Sequence, residues 1–157
     1  MKKIVAILSF LIVSSISHAD ESKNVISSLS PELQQLFSKE MIQLNQGMQE
    51  IIIAYTSGQW DSIIPIAKKM ENSYVLTQNL SKDQMHELHS KLPTAFVELD
   101  EKFHYYSGML SHASEMKKVE LIGFYYAKMS ETCVSCHSLY ATHKFPSFKS
   151  KTKKHHH

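Results

Sequence analysis

Apolar side chains recur at three- and four-residue steps along almost the whole chain, and that period restricts it to helices packed on one another. Leu33, Phe37, Met41, Leu44, Met48, Ile51 and Tyr55 form one such stripe. Ser30-Pro31-Glu32 precedes it as a start signal, with a serine N-cap, proline at the first helical position and an acid in the first turn; Gly58 supplies the stop. A second stripe runs through Ile63, Ile66, Met70 and Tyr74, with Asp61 placed to cap it and Pro65 still within a tolerated first turn. Ser81 to Gln84 has the form of a capping box and predicts a short helix through His89. Pro93 stands where a third long helix begins, with Phe96, Leu99, Phe103, Tyr106 and Leu110 on one face. The fourth begins near Lys118 and turns Val119, Ile122, Tyr126, Met129, Cys133, Cys136 and Tyr140 inward. Only four glycines and four prolines interrupt 157 residues. The expected fold is all-α, an up-down-up-down four-helix bundle in one domain.

The chain has two cysteines, and both lie in Cys133-Val134-Ser135-Cys136-His137. This C-x-x-C-H run is the attachment signature for c-type haem. Each thiol can add across a vinyl group to give a thioether, and the adjacent imidazole is placed as the proximal iron ligand. On a helix, positions 133, 136 and 137 share one face, so two tethers and one iron bond converge. Two other readings use the same residues. A thioredoxin-like redox pair sits at a strand-to-helix turn in a βαβ setting, which this sequence lacks. A structural zinc site needs further ligands, for which His86 and His89 are the remaining candidates.

The ends of the chain fit export. Met1-Lys2-Lys3, the apolar run from Ile4 to Val13, and Ser17-His18-Ala19 read as a secretory signal over residues 1–19, cleaved after Ala19. The apolar run is too short to span a bilayer, and no other stretch approaches the roughly 20 residues a span needs. The mature protein is therefore expected to be periplasmic, with no stable membrane insertion. Loss of Lys2 and Lys3 leaves fifteen lysines against fifteen acidic residues, and four of those lysines lie at 149, 151, 153 and 154. Residues 20–148, the expected haem domain, are net acidic, which argues against nucleic acid as a partner. Residues 149–157 read as a solvated basic tail ending in His155, His156 and His157, to which no haem role is assigned.

A four-helix chain carrying C-x-x-C-H near the C-terminal end of its last helix resembles the class II cytochromes c, the cytochrome c′ and cytochrome c556 group. The resemblance spans about residues 31–146 and includes Tyr140, three residues beyond His137, where the group commonly has an aromatic. Ala141 departs from it, because a basic residue often follows that aromatic; His143 or Lys144 are the candidate substitutes. The resemblance implies one covalent haem c held by Cys133, Cys136 and His137. It further implies that the residue over the far face of the haem comes from the first helix, and counting back from Gly58 lands near Met41. A methionine bound to iron there implies a single-electron carrier; an open position implies a five-coordinate protein binding nitric oxide or carbon monoxide. Met48 is the register-shifted substitute, His104 another candidate sixth ligand with Asp100 placed to pair with it as a rim residue, and Met129 a packing residue on the proximal side. His86, His89 and His112 read as solvated. Phe103, Tyr106, Tyr125, Tyr126 and Tyr140 are candidate pocket walls, and Trp60 a plug over one end of the bundle. The implied partners are a periplasmic redox protein and a second copy of the chain, since relatives often dimerise through their first two helices. No Ser/His/Asp set, phosphate loop or paired-carboxylate pattern stands out, so no enzymatic activity is expected.

Overall fold

The computed structural model describes residues 24–149, the side chains of 77 and 79 excepted. The expected export signal at 1–19 and all of the basic tail beyond Lys149 lie outside these residues. Among the described residues six α-helices follow one another: α1 (Pro31–Thr56), α2 (Trp60–Glu71), α3 (Leu76–Asn79), α4 (Lys82–Lys91), α5 (Thr94–Glu115) and α6 (Val119–Tyr140), with short 3-10 turns at Val25–Ser28 and Pro146–Phe148. Strand is absent among the described residues, in keeping with the helical period of the sequence.

The four longer helices share one core. Leu44 and Ile51 of α1, Ile63 and Met70 of α2, Phe103 and Leu110 of α5, and Ile122 and Met129 of α6 meet in it. Each fully buried side chain of this size stabilises the fold by about 1.5–3 kcal/mol. α5 is the central element, packed extensively on α2 and on α6, while α1 lies mainly on α2 and touches α6 only sparsely. A smaller core of Val25, Phe37 and Phe96 lies beside the main one. Among the described residues no helix is long and apolar enough to cross a membrane.

Several local expectations change in three dimensions. The buried stripe of α1 is Leu33, Phe37, Glu40, Leu44, Gly47, Ile51 and Ala54, with Met41, Met48 and Tyr55 at its half-buried edge. Packing against α2 rotates the helix by one position, and Gly47 sits where an added Cβ would meet the Tyr74 hydroxyl at 2.7 Å. Ser30 is the N-cap residue of α1 but makes no side-chain cap bond; its N–H donates to Glu87 Oε1 at 2.7 Å. Gln59, not Asp61, precedes α2, which places Pro65 inside the helix beyond the first turn. The capping box of α4 forms as expected, Gln84 N–H donating to Ser81 Oγ at 3.2 Å and Ser81 N–H to Gln84 Oε1 at 3.0 Å. Val119 is exposed at the start of α6. Trp60 packs against Tyr55, ring centroids 5.7 Å apart, at the α1–α2 end of the main core.

Candidate functional site

Cys133, Cys136 and His137 occupy the last two turns of α6, at the i, i+3 and i+4 spacing that puts them on one face. The helix survives a run of hydroxyl residues here because those side chains bond back to their own backbone. Thr132 Oγ1 donates to the Lys128 carbonyl at 2.9 Å, Ser135 Oγ to Glu131 at 2.8 Å, and Ser138 Oγ to Ser135 at 2.9 Å. Satisfied in this way, they do not compete with the helix for its amides.

The two cysteines straddle the boundary between the cores. Half-buried Cys133 packs against the main core, and half-buried Cys136 against the smaller one beside Phe37, Phe96 and Tyr140. Phe96 meets Tyr140 edge-on with centroids 5.2 Å apart and Phe37 at 5.8 Å, so the cluster that Cys136 packs against is largely aromatic. Both thiols are free. Burial raises the pKa of Cys133, and burial followed by the Asp100 and Cys133 charges pushes Cys136 up to about 11. Both therefore carry their protons at neutral pH. Burial alone lowers the pKa of His137, which keeps its imidazole neutral and its ring nitrogens suited to a metal.

Met41 is half-buried on α1 and packs against both cores, so it shares their boundary with Cys133 and Cys136. Met48 touches the main core alone. Met129 is fully buried, with its sulfur 3.8 Å from Ser107 Oγ. His104 is more enclosed than a rim residue: Nδ1 donates to the Met70 carbonyl at 2.5 Å, and Nε2 lies 3.5 Å from Ser73 Oγ and 3.6 Å from Asp100 Oδ2. Those contacts tie its ring to the end of α2. His86, His89 and His112 are exposed, and among the described residues no three His, Cys, Asp or Glu side chains group as a metal-ligand set. The zinc reading therefore finds no completed donor set there.

Of the expected pocket walls, Phe103, Tyr106, Tyr125 and Tyr126 belong to the main core and only Tyr140 to the smaller one. The basic substitutes are displaced: His143 and Lys144 are exposed, and the side chain against His137 is Phe145, ring centroids 4.3 Å apart and planes 20° from parallel. Nothing in the sequence marked Phe145, because helical register ends at Ala141. Glu40 was also missed, although a lone acid within the apolar stripe of α1 was its signal. It is 1% exposed, and its carboxylate accepts from the backbone N–H groups of Tyr74, Val75 and Leu76 at 2.8, 2.6 and 3.2 Å.

A groove of about 150 Å³ between α5 and α6 is lined by Leu99, Lys102, Tyr106, Lys128, Glu131, Thr132 and Ser135. A shallower one of about 450 Å³ follows the outer face of α1 at Glu32, Leu36, Lys39 and Ile42. Neither borders Cys133, Cys136 or His137. The donor types nevertheless suit a covalently held haem: one thiol packed on each of the two apolar clusters, a thioether packed on both, and a neutral imidazole next in sequence to Cys136. No family model, curated protein or solved structure matches this chain.

Proposed function

We propose that this chain is an exported monohaem c-type electron carrier with an up-down-up-down arrangement of α1, α2, α5 and α6, resembling the class II cytochromes c. The observation that carries the reading is that Met41 of α1 packs against both cores, of which one also carries Cys133 and the other Cys136 of α6, the residue before His137. The three-residue links at 57–59 and 116–118 favour antiparallel neighbours, as that topology requires.

In this reading Cys133 Sγ and Cys136 Sγ each form one carbon–sulfur bond, their S–H hydrogens passing to the vinyl groups so that atoms balance without an oxidant. His137 and Met41 would hold the iron. Bound haem supplies a one-electron iron couple. The surrounding Phe37, Phe96 and Tyr140 keep water from the tethered edge, and apolar surroundings with a thioether ligand favour the ferrous state. The seam between α1 and α6 is the least packed of those between neighbouring long helices, and Cys133, Cys136 and Met41 would hold the group on that side.

An optical spectrum of the matured protein, ferric and ferrous, with and without carbon monoxide, tests the proposal. A low-spin spectrum with a methionine-to-iron charge-transfer band and no carbon monoxide shift supports the carrier. A high-spin spectrum that shifts with carbon monoxide replaces it with a five-coordinate gas-binding protein. Absence of haem staining on a denaturing gel, after co-expression with haem-maturation machinery, rejects both.

A further inference from the structure

The imidazole of His137 is clasped by a residue from beyond its own helix. Had α6 continued, positions 137 and 145 would stand about 12 Å apart along its axis. The helix ends instead at Tyr140, with Ala141 at φ −130° and ψ 23°. A tight turn follows, in which the N–H groups of Lys144 and Phe145 both donate to the Ala141 carbonyl at 2.9 Å. Thr142, within that turn, is buried at 4% exposed. Phe145 thereby comes back to lie nearly parallel to the His137 ring, 4.3 Å between centroids, and Phe148 supports it edge-on at 6.4 Å.

We propose that Phe145 is a positioning residue for His137, setting the plane of the imidazole and keeping water from its face. The inference rests on the reading of His137 as an axial ligand. A histidine's outer torsion is broad, so the helix backbone by itself does not set the ring angle. Metal-binding histidines are usually oriented by a hydrogen bond from the second ring nitrogen to a carboxylate or carbonyl. Among the described residues no such bond reaches either nitrogen of His137, and the stacked ring takes that role. Stacking uses the π face and leaves both nitrogens available in the ring plane. It also covers one face of the imidazole with an apolar ring, and removing that ring lets water closer to the site, which favours the more highly charged ferric state.

The test uses the matured full chain with Phe145→Ala, Phe145→Tyr and Phe148→Ala. Phe145→Ala should move the ferric-to-ferrous ratio at fixed potential about tenfold toward ferric, which is 59 mV for a one-electron couple. Phe145→Tyr should restore it, and Phe148→Ala should give a smaller shift of the same sign. The ferric electron-spin-resonance anisotropy should change with Phe145→Ala if the ring is freed. An unchanged potential and anisotropy in a variant with wild-type helix content overturns the inference while leaving haem attachment standing. If no haem attaches, the proposed function falls, and the stack is decided in the haem-free chain. There the carbon-bound ring protons of His137 should be shifted upfield by Phe145 and released in Phe145→Leu; protons that do not move overturn the inference.

Discussion

The backbone N–H of Tyr74 donates to the buried carboxylate of Glu40 at 2.8 Å, across a sequence separation of 34 residues. At the end of α2, Ser73 takes the left-handed conformation, φ 57°, and its N–H donates to the Met70 carbonyl at 3.4 Å. The next amide would ordinarily close the turn on the third-last helical carbonyl. Glu40 captures it, together with the amides of Val75 and Leu76, and so bolts the start of α3 to the middle of α1, one residue from Met41.

Glu40→Ala removes the carboxylate that three backbone amides share, and at about 1–3 kcal/mol for each buried group left unsatisfied the variant should lose about 3 kcal/mol or more. Glu40→Gln keeps one acceptor oxygen and should lose roughly half as much. Urea unfolding with an unchanged slope measures both. Wild-type midpoints for both variants would mean the amides do not depend on Glu40.

Lys117 stands at φ 53° after α5, where Lys117 N–H bonds Ser114 and Lys118 N–H bonds Ala113, both at 3.0 Å. The same paired bonds end α1 at Gly58, φ 69°. A lysine pays for that conformation where a glycine does not, so Lys117→Gly should stabilise the protein by about 0.5–1 kcal/mol. Its exposed 3.7 Å pair with Asp61 subtracts only a few tenths. A lowered thermal midpoint would contradict this.

His104 gives stability a pH dependence. Burial works against its charge, but the hydrogen bond and charge of Asp100, the Met70 carbonyl and the Glu40 charge outweigh it, raising the pKa above 6.5. A histidine raised on folding contributes stability that is full below its unfolded pKa and lost as pH climbs through the folded value. Stability should therefore fall as pH rises above 6.5 and through the raised folded-state pKa. Asp100→Asn removes the main supporting charge and should flatten or reverse that slope, as denaturant midpoints at pH 6 and pH 8.5 will reveal.

Met41→Ala, on the matured protein, should convert a low-spin spectrum to high-spin and open the iron to carbon monoxide. Retention of the low-spin spectrum would shift the sixth-ligand assignment to Met48, since His104 is tied to Met70 and Asp100.

Helices were legible where a local rule specified them. Pro31, the Ser81–Gln84 box, Pro93 and Gly58 each mark a boundary through backbone chemistry that acts within a turn. Glu40 was only half legible, as an acid on an apolar stripe whose partners lie more than thirty residues away. Phe145 was not legible at all, since its position depends on how the chain leaves α6.

By itself the sequence determined the helical character of the chain and the sharing of one helical face by Cys133, Cys136 and His137, because both follow from a 3.6-residue period acting on neighbours. The tertiary structure alone decided which edge of α1 faces inward, that Met41 meets both cores, that Glu40 anchors the 74–76 segment, and that Phe145 covers His137. Those relationships join residues on different elements, and they are set by how side-chain volumes pack when the elements come together.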